Sequence, residues 1–390
     1  MPLRFLTAGE SHGPALGAIL EGLPAGLPVD VEAIHRDLAR RQRGLGAGPR
    51  MRIEQDRVEI LGGVMEGQTT GAPIALRIEN RDHAKWRGQE IPPMTVPRPG
   101  HVDLAAAIKY GYRDLRPGLE RASARETAAR VAVGALCKQF LAAFDIQVGS
   151  YVVQIGPVRA DLPEDLPYPL RFEGAEADPV RCPDPEASAR MQEAIAQAVR
   201  EKDTLGGVIE GVALGVPPGL GSHVHWDRRL SARLMMALGS IPAVKGVEIG
   251  EGFALAARRG TEAQDGIFRE GDLLVRRTNR AGGIEGGIST GAPIVVRVAF
   301  KPIATTLTPQ PSVDLSTGEP TPTPYERSDF CPVPRACPIV EAMMAFVLAD
   351  ALLEKLGGDT LAECQDRFRR LRGARLSDLT LEATPRRFWP

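Results

Sequence analysis

Lysine is scarce in this chain: only seven of the 48 basic residues are lysine (85, 109, 138, 202, 245, 301 and 355), and the rest are arginine. Arginine's planar fork suits bidentate anion binding, but a genome-wide codon bias gives the same skew, and we read it as that bias. An excess of either charge sign is also missing. The formal net charge is -1, without the basic surplus that a general nucleic-acid binder carries. Cysteine is sparse and odd in number, at 137, 182, 331, 337 and 364, with no C-x-x-C pair. That argues against a disulfide framework or a zinc site and fits a reducing compartment. The N-terminal MPLRFLTAGESHG lacks the apolar core of a signal peptide, and no run is expected to reach membrane-spanning length. A cytoplasmic protein with neither membrane nor nucleic acid as partner is the expectation. No G-x-G-x-x-G opens a helix after a strand and no G-x-x-x-x-G-K-[ST] occurs, so a Rossmann or P-loop site is unsupported.

What is present is a globular composition, 43% hydrophobic and 25% charged over 390 residues, enough for a sizeable core and, by length, two or three domains. Residues 3–8 and 16–23 read as strands around the turn Gly9-Glu10-Ser11-His12-Gly13. A helix over 30–42 begins at an Asp30 cap. A basic, glycine-rich loop runs from Gly44 to Arg52, followed by strands near 52–61 and 72–79.

Comparing the chain with itself is more informative. GGVMEGQTTGAPIALRI (62–78) matches GGIEGGISTGAPIVVRV (282–298) at nine of seventeen positions. LGAILEGLPAGL (16–27) resembles LGGVIEGVALGVPPGL (205–220) with a four-residue insertion. More loosely, Arg121 precedes one long helix and Arg327 another, expected over 338–356. The matches keep their order. They imply one domain over 1–390 built from a duplicated β/α unit, about 1–145 and 205–357, related by a pseudo-two-fold. Residues 146–204, with a helix near 185–201, read as a connection or insert. Equivalent loops then converge at the centre of the molecule. They would bring His12, Arg41, His101, Arg121 and Arg125 towards Gly286, Lys301, Arg327 and Asp329.

The stretch 98–144 is the richest. Ser123 and Glu126 form the S-x-x-E pattern of a capping box, and Val133, Leu136, Phe140 and Phe144 recur at helical spacing. Arg113, Arg116, Arg121, Arg125 and Arg130 crowd the helix start, with His101 and Lys109 upstream. Such a start suits phosphate or carboxylate, or else is a capped surface helix with solvated arginines. Gly9 to Gly13 fits the G-x-S-x-G elbow of serine hydrolases, but an elbow joins a strand to a helix, whereas this turn leads into a strand. His223 and His225 form H-x-H without a carboxylate or cysteine partner at metal-binding spacing, so no metal site is expected. Lys301 ends a strand and is followed by hydroxyls, a weak anion signal. Arg327 beside Asp329 is ordinarily a structural ion pair.

Together these stretches resemble the chorismate synthases. GESHGPALGAILEGLPAG at 9–26, GLERASARETAARVAVGAL at 118–136 and RSDFCPVPRACPIVEAMMA at 327–345 match that family's three motifs in order. RPGHVDLAAAIKYGYRD and the KPIAT segment match as well. The resemblance covers residues 3–357. It implies an α/β (α+β) sandwich with helices layered between antiparallel sheets, commonly a homotetramer. It also implies anti-1,4-elimination of phosphate from 5-enolpyruvylshikimate 3-phosphate, with reduced FMN and no net redox change. The substrate-binding positions fall on Ser11, His12, Arg41, Arg50, Arg98, Ser123, Arg125, Arg327 and Asp329. Flavin contacts fall on Arg121, Ala122, Ser123, Ala243, Gly286, Lys301, Pro302, Ile303, Ala304, Thr305 and Arg327. By resemblance His12 protonates the leaving phosphate, His101 protonates the reduced flavin, and Asp329 helps the flavin take the ring proton. NADPH enters only if the chain or a separate flavin reductase reduces the flavin. Ala47 and Pro49 stand where close relatives usually carry arginine. A serine hydrolase at Ser11 and a non-catalytic flavin- or anion-binding protein are the alternatives.

Overall fold

The computed structural model describes residues 2–46, 55–325 and 329–389. At the N-terminus, β1 (Arg4–Ala8) and β2 (Ala15–Glu21) pair antiparallel with Thr7 opposite Ala18. Helix α1 (Val31–Gln42) starts where the Asp30 carboxylate accepts the Ala33 N–H at 3.0 Å, the cap the sequence predicts. It ends in Arg40 and Arg41, cations at the negative end of the helix dipole. β3 (Val58–Gly62), the β4–β5 hairpin (Val64–Met65, Gln68–Thr69) and β6 (Ile74–Glu79) follow. The first sheet has the order β1-β2-β6-β3 and is antiparallel throughout. The short helices α2 (Asp103–Tyr110) and α3 (Arg116–Ala122) lead to α4 (Thr127–Ala142).

Next come β7 (Gln147–Ile155), β8 (Val158–Arg159), α5 (Tyr168–Ala177), α6 (Pro185–Arg200), β9 (Gly207–Leu214), α7 (Leu230–Gly239) and β10 (Val244–Ile249). A one-turn α8 (Gly260–Ala263) is followed by the hairpins β11–β12 (Ile267–Glu270, Leu273–Arg276) and β13–β14 (Ile284–Glu285, Ile288–Ser289), then β15 (Ile294–Phe300). The hairpin β16–β17 (Pro311–Val313, Pro320–Pro322), α9 (Val333–Leu356) and α10 (Leu361–Phe368) complete the described elements.

The second sheet is ordered β10-β15-β9-β7-β8. Without β8 and read backwards, this is β7-β9-β15-β10, which matches the first sheet strand for strand. The small hairpins match too. Thr69 Oγ1 donates to Pro24 O at 2.6 Å and accepts from Leu27 N at 2.9 Å. Ser289 Oγ donates to Pro217 O at 2.6 Å and accepts from Leu220 N at 2.8 Å. We infer from this that the second unit begins with β7, near 147. Residues 146–204 then supply a paired strand as well as a connection. Its helix α5 covers the outer face of the second sheet, where the Phe172 ring lies 2.7 Å from the position a Cβ on Gly149 would take. Tyr151, Val212 and Val295 are buried beneath.

Helix α4 packs on β2 and β6, α9 packs on β7 and β9, and the two helices pack on each other. The chain is therefore an α/β (α+β) sandwich with helices between antiparallel sheets. Val133, Leu136, Phe140 and Phe144 are buried as their spacing predicts, but so are Ala128, Ala132, Cys137 and Leu141, so α4 is core on every side. Helix α9 begins at Val333, earlier than the expected 338, because Pro334 in its first turn is compatible with a helix start. At 24 residues with a hydropathy of 1.9 it is long and apolar enough to cross a membrane, contrary to the sequence expectation. It has that character because it is core on both sides, with 89% of the apolar window buried. The helices cross where α4 has glycine: a Cβ on Gly134 would lie 2.2 Å from Ala342 Cβ and 2.4 Å from Ala342 Cα. Beside the crossing, Glu341, with a side chain 1% exposed, accepts from Arg40 at 2.7 and 2.8 Å, Lys138 at 2.9 Å and Ser150 at 2.8 Å. Burial alone would raise its carboxyl pKa; the Arg40 and Lys138 charges outweigh that and hold it well below the usual range.

Gly134→Val must push two backbones apart and should cost about 1–3 kcal/mol or more, read as a lower urea midpoint. The depressed pKa of Glu341 makes its contribution fully present above 4.5, its ordinary value, and lost as pH falls towards the folded value. Glu341→Gln should therefore be less stable than the parent at neutral pH, with the gap narrowing as pH drops below 4.5, measured by denaturation at a series of pH values.

Candidate functional site

The turn after β1 is pinned to α3. Ser11 N donates to Glu120 O at 3.2 Å and His12 N to Glu120 Oε2 at 2.8 Å, while His12 Nδ1 lies 2.6 Å from Glu120 Oε1. Burial would raise the Glu120 carboxyl, but the His12 ring and N–H outweigh it and lower its pKa. His83 Nδ1 donates to His12 O at 2.9 Å, and the Trp86 ring lies 4.7 Å from the His12 ring. Ser123 Oγ donates to Ser11 Oγ at 3.0 Å and accepts the Arg125 N–H at 3.3 Å.

A buried ionic network adjoins this turn. Arg125 donates to Asp56 at 2.5 Å and to Asn80 Oδ1 at 2.8 Å, and Asn80 donates to the carbonyls of Glu10 and Gly13. Arg41 reaches Asp56 at 3.5 Å, Thr127 Oγ1 at 2.9 Å and Ala124 O at 2.8 Å. Arg335 donates to Arg41 O at 3.1 Å and pairs with Asp329. Among the described residues three guanidiniums thus share two carboxylates. Burial pushes Arg41 down to about 9, opposed by Asp56 and reinforced by Arg335 and Arg125. It remains a cation at neutral pH.

The second group lies on the 98–103 segment and the end of β15. Arg98 Nε donates to Asp103 Oδ2 at 2.8 Å, Nη2 to Oδ1 at 3.1 Å, and Nη1 to Thr305 Oγ1 at 3.2 Å. His101 Nδ1 is 2.5 Å from Asp103 Oδ1. Burial would raise the Asp103 carboxyl, but His101 and Arg98 hold it well below the usual range. Lys301 Nζ donates to Gly100 O at 3.0 Å and its N–H to Ala243 O at 2.9 Å. Burial and the neighbouring Lys245 ammonium lower Lys301. Ala243 has φ 70, a left-handed conformation unusual for a side chain bearing a Cβ. Ala304 Cβ lies 3.8 Å from the position of a Cβ on Gly100.

Two features join the groups. Helix α3 packs on α2 through Gly118, where a Cβ would come within 2.9 Å of Ala106 Cβ. Thr204 Oγ1 donates to Ile303 O at 2.9 Å and Leu205 N to Phe330 O at 2.8 Å, which sets the 301–305 segment beside Asp329. Arg121, on the last turn of α3, bonds Thr7 O at 3.0 Å and Thr7 Oγ1 at 2.8 Å. Ala122 follows it at the helix end, half-buried, and Pro302 sits exposed between Lys301 and Ile303. Gly286 is at the tip of β13–β14 with φ 58, and no hydrogen bond among the described residues ties it to either group. Arg50 and Arg327, together with Ala47, Pro49 and Arg52, lie outside the described residues.

Three expectations are corrected or refined. The capping box does not close. Ser123 caps a single 3-10 turn (124–126), and Glu126 turns to Arg130 at 2.9 Å and Thr7 Oγ1 at 2.7 Å. Arg125 and Arg130 are paired internally instead of being solvated. Gly9 to Gly13 joins two antiparallel strands, so Ser11 does not sit on a strand-to-helix elbow. His223 is exposed, and His225 pairs with Asp227 at 2.8 Å on the surface. The five cysteines are free and buried.

Glu120, Asp103, Asp56 and Asn80 escaped the sequence reading. Asp103 stands two residues from His101 and Glu120 inside a quoted motif, so adjacency was the one available signal. Asp56 has none, being defined by arginines from α1 and the 3-10 turn. Its side chain is 0% exposed, so Asp56→Ala leaves two buried guanidiniums without their shared carboxylate. The expected cost is about 3–5 kcal/mol, measured by chemical denaturation.

The family model described as chorismate synthase matches residues 3–353. A relative named chorismate synthase from Symbiobacterium thermophilum is 56% identical over 382 residues, covering 94% of this chain and 98% of the relative. One of the same name from Desulforudis audaxviator is 56% identical over 378 residues, covering 94% and 97%. A solved structure described as a crystal structure of chorismate synthase superposes with a TM-score of 0.78 at 46% identity, covering 95% of this chain and 97% of that one. The chain belongs to the chorismate synthase family.

Proposed function

We propose that this chain is a carbon–oxygen lyase converting 5-enolpyruvylshikimate 3-phosphate to chorismate, by anti-1,4-elimination of phosphate and a ring hydrogen with reduced FMN. The observation that carries this reading is the family match across residues 3–353. The chemistry of the site supports it. A substrate with a phosphate and two carboxylates needs several fixed cations, and Arg41, Arg125 and Arg335 are gathered around Asp56 and Asp329.

The residues also fit a flavin phosphate. Lys301 and Lys245 repel one another, so an anion between them relieves both. Arg121, Ala122, Ser123, Ala243, Gly286, Lys301 to Thr305 and Arg327 would hold the cofactor. Reduced flavin, when bound, supplies an electron-rich ring that eases departure of phosphate and is regained unchanged. In this reading Ser11, Arg41, Arg50, Ser123, Arg125 and Arg327 orient the substrate. Arg98 directs its donors to Asp103 and Thr305, so it acts on the substrate largely through His101. His12 gives a proton to the departing phosphate, His101 holds a proton beside the flavin, and Asp329 assists removal of the ring proton. The assembly is a homotetramer in the cytoplasm. Leu6 and Ile19, opposite one another on the first sheet and 58% and 50% exposed, offer an apolar strip for a subunit contact. A separate reductase, or the chain itself with NADPH, reduces the flavin.

Anaerobic incubation with photoreduced FMN and the enolpyruvyl substrate should yield chorismate absorbance and phosphate in equal amounts; neither appearing would refute the reading. His12→Ala and His101→Ala should each keep FMN binding and lose turnover by about 10²-fold or more. Near-normal rates would remove that residue from the mechanism.

A further inference from the structure

Each of the two histidines has its own carboxylate, and both carboxylates sit on one pair of packed helices. Glu120 grips His12 twice, through the ring at 2.6 Å and the backbone N–H at 2.8 Å. Asp103, 0% exposed, meets the His101 ring at 2.5 Å and is itself clasped by Arg98 Nε, Nη2 and N–H at 2.8, 3.1 and 3.0 Å. An ionised carboxylate only accepts hydrogen bonds, so each Nδ1 carries a hydrogen; Arg98 Nη2, a donor, also lies 3.0 Å from His101 Nδ1, but Asp103 at 2.5 Å is the closer partner of that nitrogen. Proton exchange then falls to Nε2 in both rings. Asp103 opens α2 and Glu120 lies in α3. The two helices meet at Gly118, where an added Cβ would lie 2.9 Å from Ala106 Cβ. One contact therefore sets the spacing of both pairs.

We propose that Glu120 and Asp103 are positioning residues that fix the Nδ1–H tautomer of His12 and His101, with the α2–α3 contact spacing the two rings. The inference deepens the proposed function and relies on it only for the kinetic consequence. Orientation of a catalytic imidazole by a carboxylate matters because the wrong tautomer leaves the ring in place but unable to act.

The test begins with ligand-free protein carrying 15N-labelled histidine, at a pH where the imidazoles are neutral. Ring nitrogen shifts of His12 and His101 should report hydrogen on Nδ1. In Glu120→Ala the His12 signal should revert to the Nε2–H form usual for free histidine, with His101 unaffected. Glu120→Gln keeps one accepting oxygen for the two His12 hydrogens and should restore the parent tautomer in part. Asp103→Asn is the matching variant for His101, and it retains the volume of a buried side chain whose removal could unfold α2. In the lyase assay, Glu120→Ala should lower kcat by about 10²-fold or more with KM little changed, and Glu120→Gln should recover part of the loss. An unaltered His12 tautomer in Glu120→Ala, or unaltered kcat beside a crippled His12→Ala, overturns the proposal. If the unmutated enzyme shows no elimination while the nitrogen shifts behave as stated, the functional reading fails and the positioning assignment stands.

Discussion

Two helix backbones that nearly touch determine where everything else can lie. Gly134 on α4 and Ala342 on α9 leave no room for a single methyl group between them, and each helix carries one sheet on its far side. Both helices start only about two turns from that crossing, so their N-termini are close as well. Arg41, at the end of α1, links them by donating to Thr127 while its carbonyl accepts from Arg335. The ionic network around Asp56 and Asp329 is thus an outgrowth of the packing. Close-packed interiors transmit strain, so a shift at the crossing would be felt by Ser123, Arg125 and Asp329 together.

The ions near the crossing fall into two kinds. Glu341 is matched on all sides by Arg40, Lys138 and Ser150, and nothing further is required of it. The group around Arg41, Arg125 and Arg335 gathers Asp56 and Asp329 from other segments of the chain.

Much of this was legible in the sequence. The Asp30 cap, the buried stripe of α4 and the repeated GAPI strands depend on local spacing, and local spacing is what a sequence displays. The place of β7 was not legible, because it holds the position of β1 in the strand order but shares no recognisable residues with it. The S-x-x-E pattern misled for a comparable reason. Glu126 had a better offer from Arg130 and Thr7, and Thr7 comes from a strand more than a hundred residues away. The length of α9 was underestimated because Pro334 and Pro338 look like breaks, although the first sits where a helix tolerates proline and the second is accommodated inside the core. The candidate residues could be named from motifs, but the contact of Glu120 with His12, 108 residues apart, belongs to tertiary structure.

The shortage of lysine can now be divided into two layers. Surface arginines such as Arg36 and Arg57, each in an exposed pair, are exchangeable, and there nucleotide composition is free to choose. Arg98, Arg125, Arg41 and Arg335 are different, since each spans acceptors on separate segments of chain. An ammonium is a single point on a flexible stem and cannot reach in three directions at once. A lineage drifting towards lysine-rich codons could therefore recolour the exterior of this fold while these four positions stayed as they are.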